Sequence, residues 1–302
     1  MSAISIVQFG LVGLSMGAVY ALIGLGFTTI FRASSIVNFA QGEFVMLGAL
    51  LTNFFMMTCL LSYLPSALLG TLGVVLFGLA LQVLVIHPIK RAGVLIMIMG
   101  TLGASIVIRN ISLPISLLPK LEYLREPFVL PQVTTSIQAI QLAGVRISMQ
   151  RIWVVGVSLM LLCLLHYFSN FTRIGNAMES SATDRLAAQL VGIQTERMVL
   201  YSFTISAAVG AIGGILIAPI FSMRYDSGAI LGLKGFVGAV LGGWGKISGA
   251  VLGGFVLGVV ESFCVGLIPG YGSRYQQMWA FLILIGILYI RPQGIIGLEE
   301  EK

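Results

Sequence analysis

Long apolar runs, each interrupted by only a few polar residues, dominate this chain. They occupy roughly residues 7–31, 43–63, 65–86, 94–117, 152–169, 199–222, 248–268 and 277–290. Most match the roughly 20 residues that an α-helix needs to cross the hydrocarbon layer. The last is short, and it can start as early as Tyr275. A soluble helix keeps a polar face, whereas these runs are apolar all round. The pattern predicts an all-α, polytopic helical membrane protein with about 8–10 membrane-spanning or re-entrant helices. An outer-membrane barrel would show short alternating strands instead. Residues 228–246, within "SGAILGLKGFVGAVLGGWGK", are apolar but rich in glycine and carry Lys234. They either cross or dip in and return.

Composition sharpens the class. Only 9% of the 302 residues are charged, against about 25% in soluble domains, and the mean hydropathy is +1.02. The surface therefore faces lipid. The net charge of +6 does not point to nucleic acid, because basic residues collect at span ends, where they fix orientation. Arg32, Lys90 with Arg91, and the 172–198 loop fall on one side if spans alternate, and that side reads as cytoplasmic. The first basic residue is Arg32, so the first run reads as a retained span with its N-terminus outside. Residues 118–151 then form an external segment. Its "VTTSIQAIQLAGVRIS" fits either short strands or an interfacial helix. If residues 228–246 cross, the chain has nine spans and a cytoplasmic "RPQGIIGLEEEK"; if not, the parity changes. Nothing suggests a linker, so residues 1–302 read as one transmembrane domain. Cys59, Cys163 and Cys264 lie in apolar runs without paired spacing, which suits core packing better than disulfides or metal ligation.

Many of the 37 glycines recur every four residues: Gly245, Gly249 and Gly253 in one row, Gly254 and Gly258 in another. In lipid, small residues let helix backbones approach and pack. These rows serve packing within the chain, a subunit interface, or both.

Polar residues at depth are the candidates for function. In "SSIVNFAQGEF", Asn38, Gln41 and Glu43 stand between two apolar runs. One reading is an ordinary loop with Glu43 at a helix N-terminus, favoured by the macrodipole. The other is a polar patch on a translocation pathway, since polar groups in lipid are expensive and tend to be functional. Arg109 can snorkel to the interface. Glu261, inside a span, is expected to face protein or water. His87 and His166 lie near span ends and read as interfacial anchors.

No enzyme motif stands out, and no cofactor or metal site is expected. "VLGGWGKIS" approaches the phosphate-binding pattern GxxxxGK[ST], but Val240 replaces its first glycine and Ile247 its hydroxyl. Any ATP hydrolysis therefore belongs to another subunit.

One segment is out of character. "TRIGNAMESSATDRLAAQLVGIQTERM", residues 172–198, is charged and helix-capable. Ser181 and Asp184 fit a loose capping box. Leu186, Leu190 and Ile193 form an apolar stripe, and Gly192 suits a helix end. A short amphipathic helix of two to three turns follows, packing either on the chain's own spans or in a partner's groove.

"RIGNAMESSATDRLAAQLVGIQ" resembles the cytoplasmic coupling loop of branched-chain amino acid type ABC importer permeases. "YALIGLGFTTIFRASSIVNFAQGEFVMLGA", "HPIKRAGVLIMIMGTLGASIVIRN", "LKGFVGAVLGGWGKISGAVLGGFVLGVVES" and "RPQGIIG" resemble other blocks of the same family. The match is to its first-type permease, and urea and amide permeases are close relatives. The resemblance implies a second homologous permease, two cytoplasmic ATPase subunits and an external substrate-binding protein as partners, in a bacterial inner membrane. The cargo it implies is hydrophobic amino acids or related small polar organics. Gly175, Ala177, Asp184, Ala188, Leu190 and Gly192 match the loop that docks on the ATPase. Asn176 and Glu179 depart from positions that are usually basic. The competing class is a stand-alone secondary transporter or channel, which needs an ion-coupling carboxylate; Glu261 and Glu43 are its candidates.

Overall fold

The computed structural model describes residues 3–90, 92–115, 126–132, 140–142, 145–268, 272 and 274–296. Its elements in chain order are α1 (Ala3–Ser34), α2 (Gln41–Thr58), α3 (Tyr63–Leu81), α4 (His87–Ile89), α5 (Val94–Ile115), β1 (Ile140–Leu142), β2 (Val145–Ile147), α6 (Met149–Phe171), α7 (Arg173–Thr183), α8 (Arg185–Leu190), α9 (Thr195–Ile217), α10 (Ser227–Gly242), α11 (Ile247–Leu267) and α12 (Gln276–Ile290). Among the described residues, six helices are long and apolar enough to cross a membrane. The chain is an all-α, multi-pass membrane protein. Its only described sheet is the antiparallel pair β1–β2, so the choice left open for the 118–151 segment falls to strands over residues 140–142 and 145–147; residues 143–144 lie outside the described residues. Residues 116–125 and 133–139 lie outside the described residues.

The apolar runs appear as helices at nearly the expected places. Between α3 and α4 the helix widens into a π-turn over Gln82–Ile86. Pro88 explains it: proline has no N–H to donate, and its ring crowds the carbonyl four residues back.

Helix α1 is the hub. It packs on α6, α9, α10 and α11, burying Val19, Leu22, Ile23 and Phe27. A second apolar cluster joins α2, α3 and α9 around Phe44, Phe203 and Ala207. Glycines set the closest approaches. A Cβ added at Gly254 would lie 2.5 Å from Ala21 Cα, and one at Gly258 would lie 2.4 Å from Gly17 Cα. Gly249 and Gly253 face α10, where added Cβ atoms would meet the carbonyls of Gly242 and Gly238 at 2.8 and 2.0 Å. The glycine rows thus pack within the chain. Gly245 is a correction: it has φ +83° and makes the turn between α10 and α11 rather than extending the packing row.

Residues 227–242 form one continuous helix. It runs parallel to α1, with Gly235 beside Gly24 and Trp244 beyond its end against Phe31, and α11 returns antiparallel. Its 16 residues extend about 24 Å, short of the roughly 30 Å hydrocarbon layer. The "RPQG" segment then folds back. Ile295 and Ile296 donate N–H groups to the carbonyls of Leu241 and Gly242 at 2.9 Å each, satisfying helix-end acceptors that α10 cannot use internally. The C-terminal segment, the α10–α11 turn and the end of α1 therefore share one end of the bundle.

The cysteines also need correcting. Cys59 and Cys163 are exposed on the isolated chain and Cys264 is half-buried. An apolar run in a membrane protein has a lipid-facing side, so an apolar context does not imply the core.

Candidate functional site

Two features concentrate polar chemistry: a buried connector after α1, and an exposed double helix, α7–α8, below it.

The connector spans residues 35–40. It is not an ordinary solvated loop, since Asn38, Ala40, Gln41 and Glu43 are all 0% exposed. Ser35 turns the chain with φ +56°, a conformation that costs a non-glycine residue about 1 kcal/mol or more. Asn38 Oδ1 accepts the Ala40 N–H at 3.1 Å, a local turn that launches α2, while its Nδ2 is buried without a partner. Gln41 Nε2 donates to the Ser206 carbonyl at 3.2 Å. The Ser206 hydroxyl lies 2.5 Å from Gln41 Oε1 and 2.9 Å from the Gly26 carbonyl. Gly26 makes room for this, since a Cβ there would sit 2.0 Å from Gln41 Nε2. From α5, the Thr101 hydroxyl accepts the Phe39 N–H at 3.2 Å.

Glu43 opens α2. Its Oε1 accepts from the Ser105 hydroxyl at 2.8 Å and lies 3.1 Å from Arg109 Nε. Arg109 is therefore a partner to a buried carboxylate rather than a free snorkelling side chain. The approach is off the hydrogen-bond line: Arg109 Nε and Glu43 Oε2 both remain without hydrogen-bond partners.

The other deep carboxylate, Glu261, is engaged by Lys234, which also donates to the Tyr20 hydroxyl at 3.2 Å. Lysine and glutamate are 27 residues apart in sequence, so no local pattern announces the pair. Already compensated by a lysine, Glu261 is ill suited to the ion-coupling role that the secondary-transporter alternative needs. Glu261→Leu should destabilise the protein by about 3–5 kcal/mol, because it strands a buried ammonium, whereas Glu261→Leu with Lys234→Met should be near neutral. Thermal melts of the purified protein in detergent check this.

At the α1 end of the bundle, α7 and α8 make the handle. Helix α7, not anticipated from sequence, begins at Thr172, whose hydroxyl accepts the Gly175 N–H at 3.1 Å. Gly175 permits the tight corner with α6, since a Cβ would meet the Phe168 and Ser169 carbonyls at 2.5 Å. Ser181 does not complete a capping box: its hydroxyl donates back to the Ala177 carbonyl at 2.7 Å, the usual fate of a mid-helix serine. Asp184 is the N-cap of α8, accepting from Leu186 and Ala187 N–H groups at 2.9 and 3.0 Å. At the other end, Gly192 (φ +86°) donates to Gln189 O and Ile193 to Ala188 O, both at 3.0 Å. This is a Schellman closure. The helix is shorter than expected, six residues, because both caps press inward.

The anticipated stripe is resolved residue by residue. Ala188 is buried and Ile193 half-buried, while Leu186, Leu190 and Val191 are 74%, 88% and 77% exposed. Asn176, Thr183, Asp184 and Ala187 line an open hollow between α7 and α8. Ties hold the handle to the bundle. Glu179 pairs with Arg32 at 2.5 Å, and the Ser35 hydroxyl donates to the Ala182 carbonyl at 3.2 Å. Glu196, behind α8, pairs with Lys90, with His87 nearby. An acidic residue at 179 thus has a partner within its own chain.

Comparison with known proteins agrees along the length of the chain. Residues 11–290 match the family model described as branched-chain amino acid transport system / permease component. The chain is 30% identical over 300 residues to the high-affinity branched-chain amino acid transport system permease protein BraD of Pseudomonas aeruginosa, covering 96% of this chain and 95% of that protein. It is 28% identical, with the same coverages, to the permease protein LivH of Escherichia coli K12. A probable LivH of Methanocaldococcus jannaschii is 26% identical over 93% of this chain and 89% of its own.

Proposed function

We propose, from the premise that this chain belongs to the family of permease components of branched-chain amino acid transport systems, that it forms part of the conduit of an importer driven through α8. The chain is a permease subunit of an ABC transporter and not an enzyme. The finer assembly is our reading: a second homologous permease, two ATPase subunits beneath α7–α8, and a substrate-binding protein at the opposite, external face. The α7–α8 end is cytoplasmic, and the membrane is the bacterial inner membrane. The cargo is a branched-chain amino acid, the class named for the relatives, another hydrophobic amino acid, or a related small polar organic molecule.

The observation that carries this reading is the apolar tip of the handle. Leu186 and Leu190 on α8, and Val191 at its C-cap, are exposed on the isolated chain beside an open hollow. Such side chains are suited to a groove in a partner. The route inward is short. Through Glu179–Arg32 and Ala182–Ser35 the handle touches the end of α1 and the first residue of the connector, and the connector carries Asn38 and leads into Gln41 and Glu43 at the start of α2. A nucleotide-dependent shift of the handle would bias two arrangements of that connector, as differential contacts must for any conformational switch. These three residues belong to the pathway wall or its support.

Co-purification tests the assembly. Expressed with the products of its neighbouring genes, the chain should retain an ATPase and support ATP-dependent uptake of radiolabelled leucine in proteoliposomes. Ion-gradient-driven flux by this chain alone would replace the reading. Within the assembly, Asn38→Leu with Gln41→Leu should cut uptake at least about ten-fold and lower complex yield by less, since each buried partner left unpaired costs about 1–3 kcal/mol of stability. Equal losses of uptake and yield would reduce both residues to scaffolding.

A further inference from the structure

We infer that Glu43 and Arg109 together receive the two charged ends of a zwitterionic substrate, the ammonium on Glu43 Oε2 and the carboxylate on the Arg109 guanidinium. This rests on the permease reading and adds specificity-determining residues to it.

The first ground is unspent bonding. Glu43 is 0% exposed, yet only Oε1 is used, by Ser105. Its Oε2 has no partner. A buried polar atom left unpaired costs about 1–3 kcal/mol, more when charged. Arg109 spends one NH2 group on the Ser105 hydroxyl at 3.2 Å, and its Nε lies 3.1 Å from Glu43 without a directed bond. A well-made structural pair is bidentate and satisfied; this one keeps an open acceptor and an open donor side by side. An α-amino acid carries an ammonium and a carboxylate on one carbon, so it offers both missing partners at once.

The second ground is access. The Arg109 side chain is 30% exposed although its Nε is buried, so the pair is not sealed off as Glu43 alone is. Beyond it lie Arg224 and Asp226, joined by an Arg224 Nε to Asp226 Oδ1 bond of 2.7 Å. The Arg224 guanidinium holds the Asp226 carboxyl below the usual carboxylate range, with Arg109 adding to the effect. Two anions and two cations give no net charge, so a zwitterion adds none, whereas a free anion or cation would.

The third ground is a seam that can move. Glu43 Oε2 is shut behind the start of α10: a Cβ at Gly228 would lie 2.5 Å from it. Gly42 meets Gly228 and Gly232 backbone to backbone, with an added Cβ at Gly42 only 2.1 Å from the Gly228 carbonyl. At this seam only glycine backbone, with no side chain, covers the carboxylate, so a small relative shift of α2 and α10 is what the inference requires to uncover it.

The test uses the complete transporter in proteoliposomes, with radiolabelled leucine and radiolabelled urea as probes. Glu43→Gln and Arg109→Gln should each lower leucine uptake at least ten-fold, and the double variant should remain as low, with complex yield within two-fold of wild type. A purely structural pair behaves differently, because removing both charges relieves the stranded one. Leucine uptake restored in the double variant would therefore overturn the inference. If Glu43→Gln does not assemble, Arg109→Gln decides: a ten-fold loss of leucine uptake at unchanged complex yield upholds the inference, and unchanged uptake, or uptake and yield that fall together, overturns it. A wild-type complex that moves urea but not leucine would also overturn it, while keeping the permease reading. A wild-type complex that moves neither probe, with no ATPase bound, would sink the parent reading and this inference together.

Discussion

Leu190→Asp is expected to abolish ATP-driven uptake while leaving the permease in the membrane. Leu190 is 88% exposed on α8, so the isolated chain has almost nothing to lose from the change. The cost falls in the complex, where the residue would be an apolar anchor. Losing such an anchor and forcing a carboxylate into its place costs on the order of 2–4 kcal/mol, or roughly thirty-fold to several-hundred-fold in affinity. Uptake, ATPase activity in the membrane fraction, and ATPase retained on the purified permease should fall together, with permease yield unchanged. Asp184→Ala should act more weakly, because losing an N-cap costs about 1 kcal/mol and only loosens the helix that presents Leu190. Normal uptake by Leu190→Asp would show that drive enters elsewhere.

The second large effect is expected at Gly253. A side chain there meets only backbone: Gly238 O at 2.0 Å, Gly242 N at 2.5 Å and Gly242 Cα at 2.8 Å. No flexible neighbour can give way, so Gly253→Leu must prise α10 from α11. In lipid that contact has no hydrophobic substitute, since tails are as apolar as leucine. A loss of about 3 kcal/mol or more should lower the melting temperature in detergent by roughly 5–10 °C and reduce the yield of folded protein. Gly10→Leu is the control, because nothing lies within 4 Å of its added Cβ. If both variants melt alike, the close packing of α10 on α11 is not a main source of stability.

The helices were legible because each apolar run is a local property. The same holds for the caps of α8: Asp184 and Gly192 have distinctive backbone chemistry wherever they stand. Helix α7 escaped notice because its polar residues read as loop, although Thr172 is a sound start signal in retrospect. Pairings were not legible at all. Glu43 with Arg109, Lys234 with Glu261 and Arg32 with Glu179 join distant segments, and only the packing of α1, α2, α5, α7, α10 and α11 brings them together. The connector misled for a related reason. Its composition suits a solvated turn, but α1, α5 and α9 enclose it. Spacing of four picks out Gly249 and Gly253, which meet the backbone of α10, but spacing cannot see that the chain turns at Gly245.

Helix α1 has one more consequence. Its 32 residues extend about 48 Å, against a hydrocarbon slab of about 30 Å. Ordinary tilts of about 20° absorb only a small part of the surplus. The rod must stand proud of the oil, and the foot that bears Arg32 is set by how deep the slab is. Thickening or thinning the host bilayer should then shift the foot of α1, making this transporter's turnover a gauge of the lipid in which it sits.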